Sequence, residues 1–324
     1  MNNLIGIIAG EPNSINSEII AKTWKKKDDF KSLNIFVVGN YLLIKKQLKS
    51  IGIKINIKKI SNINLKNFKK ALLIYDVPLK FNNPFRVSPK AKSKYIFHCF
   101  KIATELARKK KISGLINCPI NKKETFGNNF KGITEFLAKK EGVLGKEVML
   151  IYNKKLSVSP ITTHIMIKKV SKNLSKKLII NKLKTINKFF LKKMKLKPKI
   201  ALLGLNPHND ELRKGSEEKK IIIPSVKIIK KHKIYIEGPL PGDTAFINLK
   251  KNKFNVIVGM YHDQVLSPFK ALYKFDAINI TIGLPYIRVS PDHGTGKDII
   301  KKNIANPKSL IESIKFFKSI NVRS

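Results

Sequence analysis

Short apolar runs alternate along the chain with longer segments in which apolar residues recur with a helical period. The short runs are apolar throughout, which indicates strands that are covered on both faces. We predict strands at 4–10, 34–40, 71–77, 114–120, 148–153, 199–206, 233–238, 255–261 and 278–284. We predict helices at 17–27, 89–110, 174–194 and 307–319. This alternation predicts an α/β fold with a largely parallel sheet.

The length and composition favour a globular protein. The chain has 324 residues, of which 43% are hydrophobic, and this is enough for two domains. No apolar run reaches the roughly 18 residues of a membrane helix, and the N-terminal segment MNNLIGIIAGEP predicts a first strand rather than a signal peptide. Cys99 and Cys118 lack CxxC spacing and predict no disulfide framework. We therefore expect a cytoplasmic protein without a membrane partner.

The formal net charge of +45 raises the question of a nucleic-acid partner. Only five of the 66 basic residues are arginine, which nucleic-acid-binding proteins use for bidentate contacts. Lysine is spread over the whole chain together with abundant Ile and Asn, and A/T-rich codons encode all three. We interpret the charge as compositional drift. It predicts nonspecific binding of polyanions at low salt and no specific nucleic-acid partner.

Candidate chemistry lies next to the predicted strand ends. Four of the six histidines stand there, in loops with small or polar neighbours: His164 in TTHIM, His208 in LNPHND, His262 in MYHDQ and His293 in PDHGTG. Neutral imidazole is a common ligand of divalent metals, and three imidazoles leave positions open for substrate or water. A single loop histidine is more often a hydrogen-bonded surface residue. The spacing alone leaves both interpretations open.

A second polar group follows the last predicted strands. Lys270 and Arg288 could hold a phosphate or a carboxylate, although Lys270 also fits a solvated surface in so lysine-rich a chain. The glycines of DHGTGKD would let backbone amides approach a nucleotide closely. No GxGxxG follows the first strand, so a Rossmann fingerprint is not supported.

Eight separate segments of the chain carry motifs that, taken together, resemble one known family. They are INCPINK (116–122), TEFLA (134–138), TTHI (162–165), GLNPH (204–208), GPLPGDTAF (238–246), MYHDQ (260–264), PFKAL (268–272) and NITIGLPYIRVSPDHGTGKDI (279–299). In this order they resemble the 4-hydroxythreonine-4-phosphate dehydrogenases of pyridoxal phosphate (vitamin B6) biosynthesis. The resemblance implies two α/β domains that flank a cleft, as in isocitrate and isopropylmalate dehydrogenases. Residues 1–130 with 295–324 would form the cofactor-side domain, and 131–294 the domain of metal, substrate and dimer interface.

The resemblance also implies site residues, position by position. The metal ligands would be His164, His208 and His262, one of them from the partner subunit of a homodimer with a shared site. Asp243 and Asp263 lie in matching motifs as supporting carboxylates or proton-transfer residues, and the identity of the general base stays open. The residues implied to contact substrate are Thr134, Lys270, Asn279 and Arg288, with Lys270 also orienting it for catalysis. Those implied to contact the cofactor are His293, Gly294 and Asp298.

The implied reaction oxidises a phosphorylated hydroxy amino acid with NAD or NADP and removes its carboxylate, giving 3-amino-2-oxopropyl phosphate. A divalent metal would lower the pKa of the substrate hydroxyl. Zinc is the metal we expect, with cobalt or magnesium as alternatives, and the sequence does not decide between NAD and NADP.

Some positions depart from the family pattern. The first loop reads GEPNSINSE (10–18) where the family has GDPAGIGPE, and Ile133 stands where the family has a substrate-contacting histidine. One alternative is therefore a sister dehydrogenase for another phosphorylated hydroxy acid, of the 4-phosphothreonate or phosphoerythronate type. Another is a weakened or inactive relative with a basic, nucleic-acid-binding surface. We expect activity to be retained, because decay would not spare the three histidines, Lys270 and Arg288 together.

Overall fold

The computed structural model describes residues 3–63, 70–127, 130, 132–247, 249, 253–274 and 276–321. The chain forms two compact units. The first contains Met1–Lys131 and Pro285–Val322, and the second contains Gly132–Leu284.

Strands and helices alternate along the described residues. The strands are β1 (Leu4–Ile8), β2 (Asn34–Gly39), β3 (Ile57–Ile60), β4 (Leu72–Asp76), β5 (Gly114–Asn117), β6 (Val148–Tyr152), β7 (Ser157–Pro160), β8 (Ile200–Leu203), β9 (Ile236–Leu240), β10 (Val256–Gly259), β11 (Ile278–Ile282) and β12 (Arg288–Pro291). The helices are α1 (Asn16–Lys25), α2 (Tyr41–Ser50), α3 (Pro89–Arg108), α4 (Lys122–Phe126), α5 (Ile133–Lys140), α6 (Val170–Asn173), α7 (Lys176–Phe189), α8 (Ile223–Lys231), α9 (His262–Tyr273) and α10 (Lys308–Asn321).

The first unit has a parallel sheet in the order β3-β4-β2-β1-β5-β12. Strand β1 is buried along its whole length and pairs with β2 on one side and β5 on the other. Such double burial explains its unbroken apolar sequence LIGII. Segment 285–294, predicted as part of the second domain, lies in the first unit because β12 pairs with β5 at Arg288↔Leu115 and Val289↔Ile116.

The second unit has a mixed sheet in the order β11-β6-β7-β10-β8-β9. Strand β6 is antiparallel to both of its neighbours, whereas β7, β10, β8 and β9 are mutually parallel. The carboxyl ends of these parallel strands meet at one edge of the sheet, where loops gather polar side chains. Below that edge the core contains Val158, Ile257 and Phe269.

Side-chain caps explain where two long helices begin. Helix α3 follows Ser88, whose Oγ accepts a hydrogen bond from Ala91 N at 3.4 Å, and Pro89 occupies its first position. Helix α7 follows Ser175, whose Oγ accepts from Leu178 N at 3.2 Å. Both helices were predicted from their apolar period.

The segment after β10 differs from the sequence-based expectation. His262 was predicted to lie in a loop, but it is the first residue of α9, which continues to Tyr273 with Pro268 inside it. The prediction of a loop was wrong because the polar start of the segment and its proline obscure the apolar face formed by Val265, Leu266 and Phe269.

Neither described cysteine forms a disulfide, and both are buried. Burial raises the pKa of the Cys118 thiol to about 12 and also raises that of Cys99.

In the part of the chain that the structure describes, no helix has the length and apolar character needed to cross a membrane.

Candidate active site

Two histidines meet at the ends of neighbouring parallel strands. Strand β7 pairs with β10 up to Pro160↔Gly259, and the ladder continues through the bonds Ile161 N→Gly259 O (2.8 Å) and Thr162 N→Met260 O (3.0 Å). This register places the segment that carries His164 beside the start of α9. The ring centroids of His164 and His262 are 5.8 Å apart, with 40° between the planes.

Each of the two imidazoles has a carboxylate at the same ring nitrogen. Nδ1 of His262 lies 2.7 Å from Asp263 Oδ1, and Nδ1 of His164 lies 3.4 Å from Glu135 Oε1. A carboxylate only accepts hydrogen bonds, so it favours the tautomer with the proton on Nδ1. Nε2 of both rings then keeps its lone pair, as in histidines that bind metals with a carboxylate behind them.

Glu135 comes from the first turn of α5, far from His164 in sequence. Burial by itself would raise the pKa of Glu135, but His164 and the Thr163 hydroxyl, whose Oγ1 donates to Oε1 at 3.1 Å, lower that pKa to about 2. Glu135 therefore stays ionised over the working range of most enzymes. We did not predict this residue from the sequence; its position beside Thr134 in TEFLA was the available signal.

The pair of imidazoles fits a divalent transition metal by its chemistry. Two neutral nitrogen donors with supporting carboxylates suit zinc or cobalt better than magnesium, which prefers oxygen ligands. Among the described residues, no three His, Cys, Asp or Glu side chains form a metal-binding group. The described part of one chain thus brings together two of the three predicted ligands, His164 and His262.

His208, the remaining predicted ligand, lies in the exposed loop after β8. Its backbone is left-handed, with φ 49°, and the residues from Asn209 to Leu212 share this conformation. The turn contains no glycine, which is the residue that usually adopts it.

Three predicted substrate residues belong to the second unit. Thr134 is buried in the first turn of α5, and its Oγ1 lies 3.1 Å from Thr281 Oγ1 of β11. Asn279, on the same strand, has a buried Oδ1 without a hydrogen-bond partner. An unsatisfied buried amide oxygen is costly, and a bound ligand with a donor group would satisfy it. Lys270 lies half-buried on α9.

Arg288 belongs to the first unit, where it begins β12. It is buried, and its Nε donates to Asn117 Oδ1 at 2.5 Å. A buried guanidinium needs such hydrogen bonds to offset its desolvation. Asn117 ends β5 and was not predicted as a site residue.

The predicted cofactor segment follows β12. Nδ1 of His293 lies 2.9 Å from Gly294 O, while its Nε2 is buried without a partner. Burial lowers the pKa of His293, so the ring is neutral at physiological pH. A Cβ at Gly294 would meet nothing within 4 Å, so the backbone there is open to a ligand. Asp298 is exposed, as is Asp243 in the loop after β9.

A buried ionic network in the first unit was also not predicted. The Nζ atom of Lys92 on α3 lies 2.9 Å from Glu11 Oε1 and also contacts Glu124 of α4. Glu124 in turn lies 3.3 Å from Lys297 Nζ, in the HGTGKD segment. The hydrogen bond from Lys92 lowers the pKa of Glu124. The network thus ties the altered first loop, through Glu11, to the predicted cofactor segment.

Comparison with known proteins identifies the family. The profile of the pyridoxal phosphate biosynthetic protein PdxA matches residues 31–317. The chain belongs to the PdxA family. It is 41% identical to the 4-hydroxythreonine-4-phosphate dehydrogenase of Sulfurihydrogenibium sp. over 96% of both chains, and 39% identical to that of Aquifex aeolicus over 99% of both. It is also 32% identical to the D-threonate 4-phosphate dehydrogenase of Salmonella typhimurium, over 96% of this chain and 97% of the relative.

Solved structures support the same assignment. The 4-hydroxythreonine-4-phosphate dehydrogenase of Klebsiella pneumoniae superposes with a TM-score of 0.86 at 30% identity, over 98% of this chain and 99% of the other. An isocitrate dehydrogenase from Methylococcus capsulatus shares the fold at 11% identity, with a TM-score of 0.52 over 97% and 84% of the two chains. The resemblance to the PdxA family and the isocitrate-dehydrogenase-like α/β fold are confirmed, and so is the prediction of an oxidoreductase.

Proposed function

We propose that the chain is a 4-hydroxythreonine-4-phosphate dehydrogenase of vitamin B6 biosynthesis. The carbinol carbon gives its hydride to NAD or NADP, and the hydroxyl proton is released. The bond to the carboxylate then breaks, CO2 leaves, and protonation of the carbon gives 3-amino-2-oxopropyl phosphate. The observation that supports this most directly is the pair His164 and His262, each backed by a carboxylate. A reaction that uses NAD or NADP suits the cytoplasm, where we expect the enzyme.

The two histidines would hold a divalent metal, with zinc as the expected ion and cobalt or magnesium as alternatives. When bound, such an ion supplies a Lewis acid that eases proton loss from the substrate hydroxyl and withdraws charge during decarboxylation. Glu135 and Asp263 keep the rings in the tautomer that frees Nε2. The third ligand, His208, completes the set in a homodimer whose site is shared between subunits.

The remaining residues bind and orient the substrate. Lys270 and Arg288 neutralise its anionic ends, Arg288 as a planar fork and Lys270 as a point charge. Thr134 offers a hydroxyl, and the unpaired Oδ1 of Asn279 accepts from the substrate amine. Asp243 and Asp263 are the candidates for proton transfer, since both are exposed and ionisable. His293, Gly294 and Asp298 contact NAD or NADP, where the buried Nε2 of His293 gains a partner.

A second candidate is oxidation of D-threonate 4-phosphate, which lacks the amine. The specific observation in its favour is Ile133, which is only 7% exposed and lies beside Thr134 where the family has a histidine. An apolar side chain there cannot hydrogen-bond to a polar substrate group. The two substrates differ at one functional group, so a direct comparison of turnover separates the candidates.

The test measures NAD and NADP reduction with each substrate, before and after chelation and after return of zinc. We expect 4-hydroxythreonine 4-phosphate to be turned over, with activity lost on chelation and restored by metal. His262→Ala should lower kcat/KM by about 100-fold or more, because a ligand matters at least as much as its supporting groups. His232→Ala, an exposed histidine elsewhere in the second unit, is the control. Full activity after chelation, or in His262→Ala, would contradict the metal-dependent proposal, and faster turnover of D-threonate 4-phosphate would favour the second candidate.

A further inference from the structure

A buried carboxylate organises the loop that carries His208. Glu218 starts the π-helical turn Glu218–Ile222 before α8 and is fully buried. Its Oε1 accepts hydrogen bonds from the backbone of Leu205 (2.7 Å) and Asn206 (2.9 Å). Its Oε2 accepts from Asn206 Nδ2 at 2.9 Å. Three N–H donors thus converge on one buried carboxyl group.

The loop itself needs such support. From His208 to Leu212 every residue has a left-handed backbone, with φ between 47° and 59°, and none is glycine. A left-handed backbone is sterically unfavourable for a residue that carries a Cβ atom. Strain of this kind persists only where surrounding contacts fix the chain. The two residues that Glu218 holds lie immediately before Pro207 and His208, so they set where the left-handed turn begins.

The segments of the other two histidines also contact this loop. Asn206 Nδ2 donates to Glu217 Oε2 at 2.9 Å, and Glu217 Oε1 accepts from Ser171 Oγ at 2.5 Å, on the segment that follows His164. Gln264, two residues after His262, donates from Nε2 to Gly204 O at 2.7 Å. Hydrogen bonds therefore connect the loop that carries His208 to the segments that carry His164 and His262. Among the side chains of this network, that of Glu218 is fully buried.

We propose that Glu218 is a positioning residue: it fixes the turn at Leu205 and Asn206 and thereby sets the place of His208 in the metal site. The link to metal rests on the proposed function, whereas the link to the loop does not. Replacement of Glu218 by glutamine keeps the size of the side chain but leaves one acceptor oxygen without charge, and an NH2 group then faces at least one of the three N–H donors. Glu218→Gln should therefore release the loop.

The first measurement is hydrogen exchange of the metal-free protein, which does not depend on the proposed function. We expect the Leu205 and Asn206 amides to exchange at least about tenfold faster in Glu218→Gln, since the amide oxygen that replaces their shared carboxyl acceptor binds N–H donors more weakly. Glu217→Gln is the matched control, because it makes the same chemical change in the neighbouring acceptor of the Asn206 side-chain amide and leaves both backbone bonds to Glu218 intact. Unchanged exchange in Glu218→Gln would overturn the proposal, whatever the metal does.

The second measurement is Co2+ binding to the metal-free protein, followed by the visible absorption of the bound ion. Glu218→Gln should weaken Co2+ affinity by about 10- to 100-fold and alter the spectrum, as loss of outer-shell support does. In a His208→Ala background it should add no further loss, because the ligand it positions is already absent. If Glu218→Gln lowers Co2+ affinity as much in the His208→Ala background as in the wild type, Glu218 does not act through His208. A merely structural role would lower stability and leave the spectrum unchanged.

Two further outcomes keep the result interpretable. If Glu218→Gln does not fold, Asn206→Ala replaces it, since this variant removes the side-chain bonds to Glu217 and Glu218 and keeps the backbone bonds. In Asn206→Ala we expect smaller changes of amide exchange and Co2+ affinity in the same direction as in Glu218→Gln. If neither quantity changes, the proposal is overturned. If exchange responds but the wild type binds no Co2+, the loop-fixing role of Glu218 is supported and the proposed metal-dependent function fails.

Discussion

Lys182 is a buried ammonium in a chain whose other lysines are mostly solvated. It lies on α7 and is only 6% exposed. Burial lowers its pKa from the ordinary 10.5, and the charges of Glu147 and Glu135 only partly oppose this. The fold therefore disfavours the charged form of Lys182.

This shift predicts a pH dependence of stability. Below 10.5, down to the lowered pKa, the unfolded chain binds more protons at this position than the folded chain, so the free energy of unfolding rises with pH across that window. Lys182→Met should abolish this rise and increase the free energy of unfolding at neutral pH by about 1 kcal/mol or more. The measurement is denaturant unfolding at several pH values, with the exposed Lys184→Met as control. A lower stability of Lys182→Met at neutral pH would show that the attraction between the Lys182 ammonium and the carboxylates of Glu147 and Glu135 outweighs the cost of burying the ammonium.

Ile133 gives a prediction about affinity. Ile133→His restores a hydrogen-bonding group beside Thr134, and a bond to a charged substrate contributes about 1.5 to 3 kcal/mol. The KM for 4-hydroxythreonine 4-phosphate should therefore fall by about tenfold or more. Steady-state kinetics of Ile133→His and of the apolar control Ile133→Leu test this. A KM that stays the same or rises in the histidine variant would count against the assigned pocket.

At the scale of elements, the left-handed turn predicts a stabilising glycine. Glu211 has φ 47°, and its side chain is 75% exposed with only a surface ion pair to Arg213. Glu211→Gly removes the steric cost of Cβ, whereas Glu211→Ala removes the same ion pair and keeps Cβ. Glu211→Gly should be more stable than Glu211→Ala by about 1 kcal/mol in chemical unfolding. Equal stabilities of the two variants would mean that the turn carries no such strain.

Elements buried on both faces could be predicted from the sequence, and elements with mixed faces could not. All nine predicted runs contain strands. An apolar run of this kind is typical of a strand that is covered on both faces. The missed strands β3, β7 and β12 are four residues long and read IKKI, SVSP and RVSP, so polar residues interrupt the signal. Six helices were not predicted: α2, α4, α5, α6, α8 and α9. Helices α4, α5, α6 and α8 have nine residues or fewer, and α9 contains a proline.

The same limit applies to the candidate site. We predicted that the strand-end segments of His164, His208 and His262 converge, and the rings of His164 and His262 lie next to each other. Asp263 could be anticipated because it neighbours His262. Glu135 and Glu218 could not, since each acts on a loop that only the folded chain brings near it. A sequence shows which groups lie at strand ends, whereas the partner of each group depends on packing.

At the scale of the whole molecule, the net charge of +45 predicts a salt-dependent stability. Residues 148–209 contain no Asp or Glu at all, so no acidic residue within that segment offsets the repulsion between its lysines. Salt screens exposed charges over about 10 Å at 0.1 M and weakens this self-repulsion. The Tm should rise by several degrees between low and physiological ionic strength, in both NaCl and KCl. A Tm that is constant or falls with salt would indicate that attractive ion pairs dominate instead.

The two buried cysteines have a practical consequence. Thiolate is the reactive form, so Cys99 and Cys118, buried and with raised pKa values, should be inert toward maleimides in the folded protein. A single cysteine introduced on the surface would then be modified alone, without prior removal of native thiols. Two such cysteines, one in each unit, could carry a pair of fluorophores for single-molecule distance measurements with and without cofactor. The native cysteines would not need to be replaced for this experiment.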